Sequence, residues 1–373
     1  MIGPILSSGG APAIPPGTSE FAFPSPLRIG VGAARGLAAA LASLSVARPL
    51  IVTDAGLVAA GVVDEVRGPL AGSVLFADLS PDPSDADVDG GADRYREAGC
   101  DGLVGLGGGA AIEAAKAIRW RLGLPPLVAI PTTAGAGAEV VPTARIRSAR
   151  THCKRDVGRG PLLPSLAICD PRLALTAPPG LTAATGLDAL SHCLESYLAT
   201  GFHPLCDGAA VEGMRYLFRG LETAVQNGAD VEARSAMTVG SLLGGTASQK
   251  GLGVTHALAF AVEIDAPGQH APLVAILLPH ALRFNREAAE ARMADLASRV
   301  GLGRAGDGPG HLITLVELLR ANTPLPRRLR DVDGPARDRL AEYARLALLD
   351  PGLVVNPRPC TQALLEELLD RAW

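Results

Sequence analysis

Four residues in the second half of the chain have the types and the spacing of metal ligands. Asp188 and His192 stand four apart within DALSH, so on an α-helix they project from one face. A pair with this spacing is also common as a surface hydrogen bond. His256 and His270 follow in the same region, and with them the pair could complete a three-histidine, one-carboxylate site suited to Fe²⁺ or Zn²⁺. Such a site leaves a coordination position open for a substrate oxygen.

A glycine triplet is the second candidate feature. Gly107, Gly108 and Gly109 separate an apolar strand pattern from a helical pattern that carries Lys116. Glycine lets a backbone approach a pyrophosphate closely, and the free N–H groups at the start of the helix attract its charge. Three glycines also form tight turns that bind nothing, and the motif is not GxGxxG. The triplet is therefore either a phosphate-binding turn or a structural one.

Asp54 is the third candidate, because it ends the first clear strand pattern. A carboxylate at this point can accept hydrogen bonds from both ribose hydroxyls of an adenosine, and it repels a 2′-phosphate. This interpretation favours NAD over NADP. The alternative is that Asp54 only caps the helix that follows it.

The elements that would position these residues fall into two groups. Apolar strand patterns occur at 47–54, 73–79, 100–109 and 126–133, and helical patterns alternate with them at 56–70, 85–99 and 110–123. This alternation predicts a parallel sheet covered by helices, with ligand sites at the C-terminal ends of the strands. After Pro178 the patterns are helical, as at 182–199, 204–226 and 232–249.

A chain of 373 residues is long enough for two domains. We predict a flexible leader at 1–20, an α/β dinucleotide-binding domain at 21–177 and an all-helical metal-binding domain at 178–373. The net charge of -4, without a basic stripe, argues against nucleic acid as a partner. No apolar run approaches the roughly 18 to 20 residues that cross a bilayer, which argues against a membrane protein. Six cysteines without CxxC spacing fit a reducing cytoplasm.

Several segments, in this order, resemble the iron-containing, or group III, alcohol dehydrogenases, a family related to maleylacetate reductase and dehydroquinate synthase. GLGGGAAIEAAKAI is similar to the family motif GGGSxxDxAK, and AIPTTAGAGAEV is similar to PTTAGTGSE. The other similar segments are LIVTDAGLVAAGVV, TGLDALSHCLESY, GLGVTHALAF and APGQHAPLVAILLPHALRFN. The resemblance covers about residues 21–285, and it implies a dehydroquinate synthase-like fold in which an α/β NAD-binding domain precedes an all-helical domain.

The resemblance also implies roles for individual residues. The cofactor positions are Asp54 at the ribose, Gly107, Gly108 and Gly109 at the pyrophosphate, Thr132 and Thr133 along the cofactor, and Lys154 near the nicotinamide side. The metal positions are Asp188, His192, His256 and His270. The implied activity is hydride transfer between NAD(H) and a small alcohol or aldehyde, assisted by one divalent ion, Fe²⁺ or Zn²⁺. Since members of this family form dimers or larger assemblies, we expect a homo-oligomer.

The chain departs from the family pattern at a position expected in the active site. Four residues after His256 the dehydrogenases carry a histidine assigned to proton relay, and this chain has Phe260 there. Ala110 and Glu113 replace the Ser and Asp of the glycine motif, and Ala136 replaces a threonine. These departures keep open a degenerate NAD-binding protein or a lyase.

Two further features bear on the substrate. The short segment between Lys116 and Pro131, together with Phe260, favours a second hypothesis, the maleylacetate-reductase-like reduction of an activated double bond. Arg145 and Arg147 follow the PTT stretch on an expected strand facing the cleft, and an inward guanidinium would suit a carboxylate or phosphonate on the substrate. Solvated arginines are the alternative.

Overall fold

The computed structural model describes residues 25–373 except 69, 71, 152, 159–161 and 303–306, so the expected leader at 1–20 lies outside the described residues. The strands in the described part are β1 (Leu27–Ile29), β2 (Pro49–Val52), β3 (Val74–Phe76), β4 (Gly102–Gly107), β5 (Leu127–Pro131), β6 (Arg145–Arg147), β7 (Lys154–Asp156) and β8 (Leu166–Cys169). Six of them form one sheet in the order β1-β8-β5-β4-β2-β3, and every neighbouring pair is parallel. The parallel sheet predicted from the alternating patterns is confirmed.

The central strands are buried along their whole length. Every residue of β2, β4, β5 and β8 is buried. Helices on both faces of a parallel sheet exclude water from its strands, which is why these segments are almost uniformly apolar instead of alternating. β6 and β7 stand apart as an antiparallel hairpin. β6 is the strand expected to carry Arg145 and Arg147, whereas β7 and the antiparallel pairing were not predicted.

The first group of helices is α1 (Leu37–Ser43), α2 (Ala55–Ala59), α3 (Val62–Arg67), α4 (Asp85–Glu97) and α5 (Gly109–Arg121). The single helix predicted at 56–70 is wrong, because α2 and α3 divide it. Gly61 lies between them with φ of 75°, a left-handed backbone conformation that interrupts an α-helix and that glycine adopts without a steric penalty. The predictions at 85–99 and 110–123 correspond to α4 and α5.

From Pro179 onward the described residues form helices and no strand. These are α6 (Pro179–Leu198), α7 (Pro204–Gln226), α8 (Val231–Ala247), α9 (Val254–Val262), α10 (His270–Asn285), α11 (Glu290–Arg299), α12 (Gly308–Ala321), α13 (Leu340–Ala347) and α14 (Gln362–Ala372). The structure thus has the predicted fold class, a parallel α/β region followed by a helical region. In the described part, no helix is both long and apolar enough to cross a membrane.

Two aliphatic clusters hold the helices that carry the expected metal ligands. One packs α6 against α7, α8 and α10, and the other packs α9 and α10 against α13 and α14. Because α10 contributes to both clusters, α6, α9 and α10 are fixed relative to one another, and the side chains between them are held at defined distances.

Candidate metal and cofactor site

Asp188 and His192 lie on α6, which begins at Pro179, where the missing proline N–H and the fixed φ suit a first helical turn. The surface hydrogen bond considered for this pair does not fit, since Asp188 is only 3% exposed and His192 only 6%. Nδ1 of His192 lies 2.9 Å from the backbone oxygen of Asp188. A carbonyl oxygen only accepts, so Nδ1 carries the hydrogen and Nε2 keeps a free lone pair.

The other two histidines approach Asp188 from α9 and α10. Oδ1 of Asp188 lies 3.6 Å from Nε2 of His256 and 4.0 Å from Nε2 of His270. The ligand atoms of these three residues all lie within 4.8 Å of one another. His192 packs beside this group without belonging to it, with its ring centroid 4.6 Å from that of His256. Three of the four expected ligands therefore converge, and the fourth lies against them.

Two of the converging atoms, Oδ1 of Asp188 and Nε2 of His256, are buried and lack a hydrogen-bond partner among the described residues. Leaving buried polar atoms unpaired costs free energy, which a cation bound between them would recover. One carboxylate and neutral imidazoles are a donor set that suits Fe²⁺ and Zn²⁺. The residues present thus fit a divalent ion.

Glu195, which lies about one turn after His192 on α6, orients His256. Its Oε2 accepts a hydrogen bond of 2.6 Å from Nδ1 of His256, and its two oxygens also accept from the backbone N–H groups of Gly253 and Thr255. Glu195 therefore caps the N-terminus of α9 and turns Nε2 of His256 towards Asp188. Sequence reasoning missed this residue, although its position seven residues after Asp188 places it on the same face of the helix.

Glu263 has the corresponding position at His270. Its Oε2 lies 3.3 Å from Nδ1 of His270, and its Oε1 accepts a hydrogen bond of 2.9 Å from Nζ of Lys154. Glu263 was also missed, although it follows His256 by seven residues at the end of α9. His192 and His256 thus each have an oxygen acceptor at Nδ1, and Nδ1 of His270 faces Oε2 of Glu263 without the alignment of a hydrogen bond. This arrangement leaves Nε2 of each histidine as the nitrogen available for a metal.

The pKa values follow from burial and from these contacts. Burial raises the pKa of Asp188, but the surrounding histidines, His192 most of all, together outweigh this effect. The net result is a pKa well below the usual range of an aspartate. Burial lowers the pKa of His192 to about 4, which keeps the neutral imidazole that metals bind. Burial also lowers the pKa of His256, but its contacts with Asp188 and Glu195 outweigh this effect and raise it to about 9. In the absence of an ion, a proton on His256 offsets part of the negative charge.

Phe260, at the position of the relay histidine, forms the centre of a stack. The centroid of its ring lies 4.6 Å from that of His270, with an interplanar angle of 21°. On the other side, Cζ of Arg145, which lies on β6, is 4.1 Å from the Phe260 centroid. Nε and Nη1 of Arg145 contact Asp156 and Asp350 at 3.1 and 3.4 Å. A phenyl ring has no ionisable proton, so Phe260 cannot relay one and presents an apolar surface beside His270.

Except for Lys154, the expected cofactor residues lie at the C-terminal ends of β2, β4 and β5. Oδ1 of Asp54 accepts a hydrogen bond of 3.0 Å from the N–H of Leu57, so Asp54 does cap α2. A Cβ placed on Gly107 would come within 3.6 Å of its other oxygen, Oδ2, and within 2.6 Å of the Cβ of Ala111. The capping interpretation is correct for one oxygen, and the second oxygen faces the glycine turn.

The glycine turn has the shape of a phosphate cradle. A Cβ on Gly108 would lie 3.3 Å from Oγ1 of Thr133, and one on Gly109 would lie 3.3 Å from the Cβ of Ala136. The N–H of Thr132 donates to the oxygen of Gly107. In the described part of the chain, no side chain accepts a hydrogen bond from the first backbone N–H groups of α5. The residues present therefore fit the pyrophosphate of a dinucleotide.

The loop that follows the expected cofactor residues of β5 lies close to the helix that carries the expected metal ligand Asp188. A Cβ on Gly135 would meet the Cβ of Thr185 at 2.8 Å, and Oγ of Ser241 donates to the oxygen of Gly135. The loop after β5 therefore packs directly against α6, one turn before Asp188.

Two lysines have surroundings different from those the sequence suggested. Lys116 is fully buried, and its Nζ donates to the backbone oxygens of Ala138, Val141 and Thr143, so it ties down the loop after β5 and cannot reach a phosphate. Its burial lowers its pKa to about 8. Lys154, expected near the nicotinamide, contacts Glu263 and Asp82, and its role beside the cofactor stays a prediction. Neither pairing has a local sequence signal.

Comparisons with known proteins agree with this geometry. The family model described as "Iron-containing alcohol dehydrogenase" matches residues 24–171, and the model described as "Fe-containing alcohol dehydrogenase family, C-terminal" matches residues 182–373. The 4-hydroxybutyrate dehydrogenase of Cupriavidus necator is 34% identical over 362 residues, which cover 88% of this chain and 93% of that protein.

Two solved structures have the same fold. A 1,3-propanediol oxidoreductase superposes with a TM-score of 0.90 at 30% identity, covering 95% of this chain and 99% of that chain. A sulfoacetaldehyde reductase from Bifidobacterium kashiwanohense, solved in complex with NAD⁺, superposes with a TM-score of 0.86 at 26% identity, covering 95% and 98%. The chain therefore belongs to the iron-containing alcohol dehydrogenase family of oxidoreductases.

Proposed function

We propose that this enzyme transfers a hydride between NAD(H) and a small alcohol or aldehyde at a divalent metal held by Asp188, His192, His256 and His270. The observation that carries the proposal is the convergence of three ligand groups, buried Asp188 and His256 and partly exposed His270, whose atoms lie within 4.8 Å of one another. Unpaired Oδ1 of Asp188 and Nε2 of His256 at the centre of this group support it.

The ion would act as a Lewis acid that polarises the C–O group of the substrate. Glu195 would position His256 through the hydrogen bond at its Nδ1, and Glu263 would position His270 through the ion-pair contact at its Nδ1. The donor set suits both Fe²⁺ and Zn²⁺, and the family favours Fe²⁺.

The cofactor would lie along the C-terminal ends of the strands. We assign the ribose to Asp54, the pyrophosphate to Gly107, Gly108 and Gly109, and the path towards the nicotinamide to Thr132 and Thr133. The carboxylate of Asp54 favours NAD(H) over NADP(H), because a 2′-phosphate beside it would be repelled. The packing of the loop after β5 against α6 supports a nicotinamide next to the metal ligands.

Phe260 would exclude water from the reacting carbon. Since its ring covers His270 and is itself covered by Arg145, bulk solvent is kept from this side of the site. The substrate hydroxyl must then exchange its proton through the cofactor ribose or through a water on another side.

An anionic substrate is the second candidate, and Arg145 is the observation that favours it. Two of its nitrogens contact Asp156 and Asp350, and no described residue accepts a hydrogen bond from Nη2. Those two carboxylates offset its charge, so we rank neutral substrates first. The names of the 4-hydroxybutyrate dehydrogenase and the sulfoacetaldehyde reductase support a substrate with a carboxylate or sulfonate.

The experiment that separates these candidates is NADH oxidation with paired aldehydes of equal length, butanal and succinate semialdehyde. If the neutral class is correct, butanal is reduced at least as well, and Arg145→Met changes the two rates alike. If the anionic class is correct, succinate semialdehyde is preferred and Arg145→Met removes that preference. No NADH oxidation with any aldehyde would contradict the proposed activity.

A chelation experiment tests the alternative of a maleylacetate-reductase-like reaction. Reduction of the double bond of maleylacetate that survives complete chelation, and that persists in His256→Ala, would replace the proposed reaction. We expect instead that activity stops on chelation and returns when Fe²⁺ or Zn²⁺ is added.

The setting of the enzyme is a further part of the proposal. All six cysteines are free thiols, which supports a reducing compartment such as the cytoplasm. We also propose a homo-oligomer, to be tested by sedimentation of the full chain.

A further inference from the structure

Lys154 forms an enclosed ion pair at the edge of the metal site. Its Nζ lies 2.9 Å from Oε1 of Glu263 and 3.2 Å from Oδ1 of Asp82. The side chain of Lys154 is 18% exposed, and those of Glu263 and Asp82 are 3% and 6% exposed. Charges enclosed to this extent depend on their partners, because the removal of one partner leaves the other buried and uncompensated.

Glu263 is shared between Lys154 and a metal ligand. While Oε1 contacts Lys154, Oε2 lies 3.3 Å from Nδ1 of His270. Because Lys154 holds Oε1, the other oxygen of Glu263 is kept facing the imidazole of His270, with which it makes an ion-pair contact that lacks the alignment of a hydrogen bond. Partners of this kind are known to set the affinity of a metal for its histidine ligand.

The β6–β7 hairpin, whose second strand carries Lys154, also contacts the segment that follows α9 through Arg147. Arg147 on β6 contacts Oδ2 of Asp82 at 3.2 Å and the backbone oxygen of Ile264 at 3.4 Å. The β6–β7 hairpin therefore holds residues 263 and 264, which begin the connection between the two helices that carry His256 and His270.

We propose that Lys154 is a positioning residue of the metal centre: it fixes Glu263, and through Glu263 it orients His270. This inference rests on the proposed metal site, and it gives Lys154 a role different from that of the nicotinamide-side lysine implied by the family resemblance. The two roles predict different results, because a positioning residue changes metal affinity in the absence of cofactor.

The test measures metal binding without any turnover. Apoprotein is titrated with Zn²⁺ in competition with a chromogenic chelator, and the visible absorption of the Co²⁺ form reports the coordination geometry. Lys154→Met is expected to weaken Zn²⁺ binding about tenfold, in the range found for outer-shell substitutions, and to alter the Co²⁺ spectrum. Lys154→Arg, which keeps the charge, is expected to recover most of the affinity.

A matched control and a double variant show how Lys154 acts. Arg155→Met removes the next cation on β7, which is 59% exposed and pairs with Asp85, and it should leave Zn²⁺ binding unchanged. Since Lys154 acts through Glu263, the double variant Lys154→Met with Glu263→Gln should have a Zn²⁺ affinity little lower than that of Glu263→Gln alone. Lys154→Gln replaces Lys154→Met in the same cycle if the methionine variant does not fold.

Three results would overturn the inference. They are wild-type Zn²⁺ affinity and Co²⁺ spectrum in Lys154→Met, additive effects in the double variant, and an equal loss in Arg155→Met. A rise in KM for NADH with unchanged metal binding would return Lys154 to the cofactor role. If the wild-type chain itself binds no divalent ion, the proposed function fails first, and that outcome is distinguished by the wild-type titration alone.

Discussion

The carboxylate of Glu195 accepts a 2.6 Å hydrogen bond from Nδ1 of His256 while it also caps the helix on which His256 lies. One side chain therefore fixes both the position of the backbone and the direction of the imidazole. Because α6 carries Glu195 as well as Asp188, a single helix sets the geometry between two of the expected ligands.

Glu195→Gln should weaken both metal binding and the fold. An amide can present only one oxygen to three donors, so at least one buried N–H loses its acceptor, at a cost of about 1–3 kcal/mol in the free energy of unfolding. Metal affinity should fall about 10- to 100-fold. Urea denaturation and chelator competition measure the two effects. Glu222→Gln on the exposed side of α7 is the matched control, and equal metal affinity in both variants would contradict this role.

Asp54→Asn should separate capping from cofactor binding. Asparagine caps a helix as well as aspartate does, so the free energy of unfolding should change by less than about 0.5 kcal/mol. The lost charge should raise KM for NADH about tenfold and improve the use of NADPH. Asp230→Asn makes the same change at the N-cap of α8, where Asp230 accepts from the N–H of Ala233, and should leave both KM values unchanged. Unchanged KM values in Asp54→Asn would exclude the ribose role.

Phe260→Leu should slow catalysis by opening the stack between Arg145 and His270. The matched control is Phe284→Leu, since Cζ of Arg358 lies 4.3 Å from the Phe284 ring in a similar arrangement. Each substitution should cost about 1–2 kcal/mol in the free energy of unfolding. Only Phe260→Leu should lower kcat/KM for aldehyde reduction, and an equal kcat/KM in the two variants would show that the ring has only a packing role.

His280 should make the fold less stable in mild acid. Burial first, and then the nearby charges of Arg283 and Arg320, lower its pKa to about 4, although Glu317 opposes them. In the unfolded chain the histidine pKa is near 6.5. Between about pH 6.5 and 4 the unfolded chain therefore binds a proton at His280 that the folded chain does not bind. The free energy of unfolding should therefore fall as the pH decreases from about 6.5 to 4. Urea denaturation across this range should show a shallower fall in His280→Asn, and identical slopes would contradict the assignment.

The sequence predicted most of the elements and the ligand types, because both depend on local patterns. The spacing of Asp188 and His192 requires only helical periodicity, and the apolar runs of β2, β4 and β5 indicate their own burial. The contacts of Lys116 and Lys154 depend on residues more than twenty positions away, so no local pattern could reveal them. Glu195 and Glu263 were missed for another reason, since an acidic residue on a helix usually faces solvent.

The division of one predicted helix into α2 and α3 shows a further limit. Gly56–Leu70 has a continuous helical pattern of apolar residues, and glycine inside such a pattern is often tolerated. Only the backbone conformation of Gly61, with φ of 75°, shows that the chain turns there.

The most direct test of the central claim is the metal content of Asp188→Asn compared with that of the wild-type chain. After reconstitution with Fe²⁺ or Zn²⁺ and removal of free ions, elemental analysis should find one divalent ion per wild-type chain and essentially none in the folded variant. NADH-dependent aldehyde reduction should then fall at least about 1000-fold, because ligand and Lewis acid are lost together. A variant that keeps both its ion and its activity, or a wild-type chain that is active without any ion, would contradict the account.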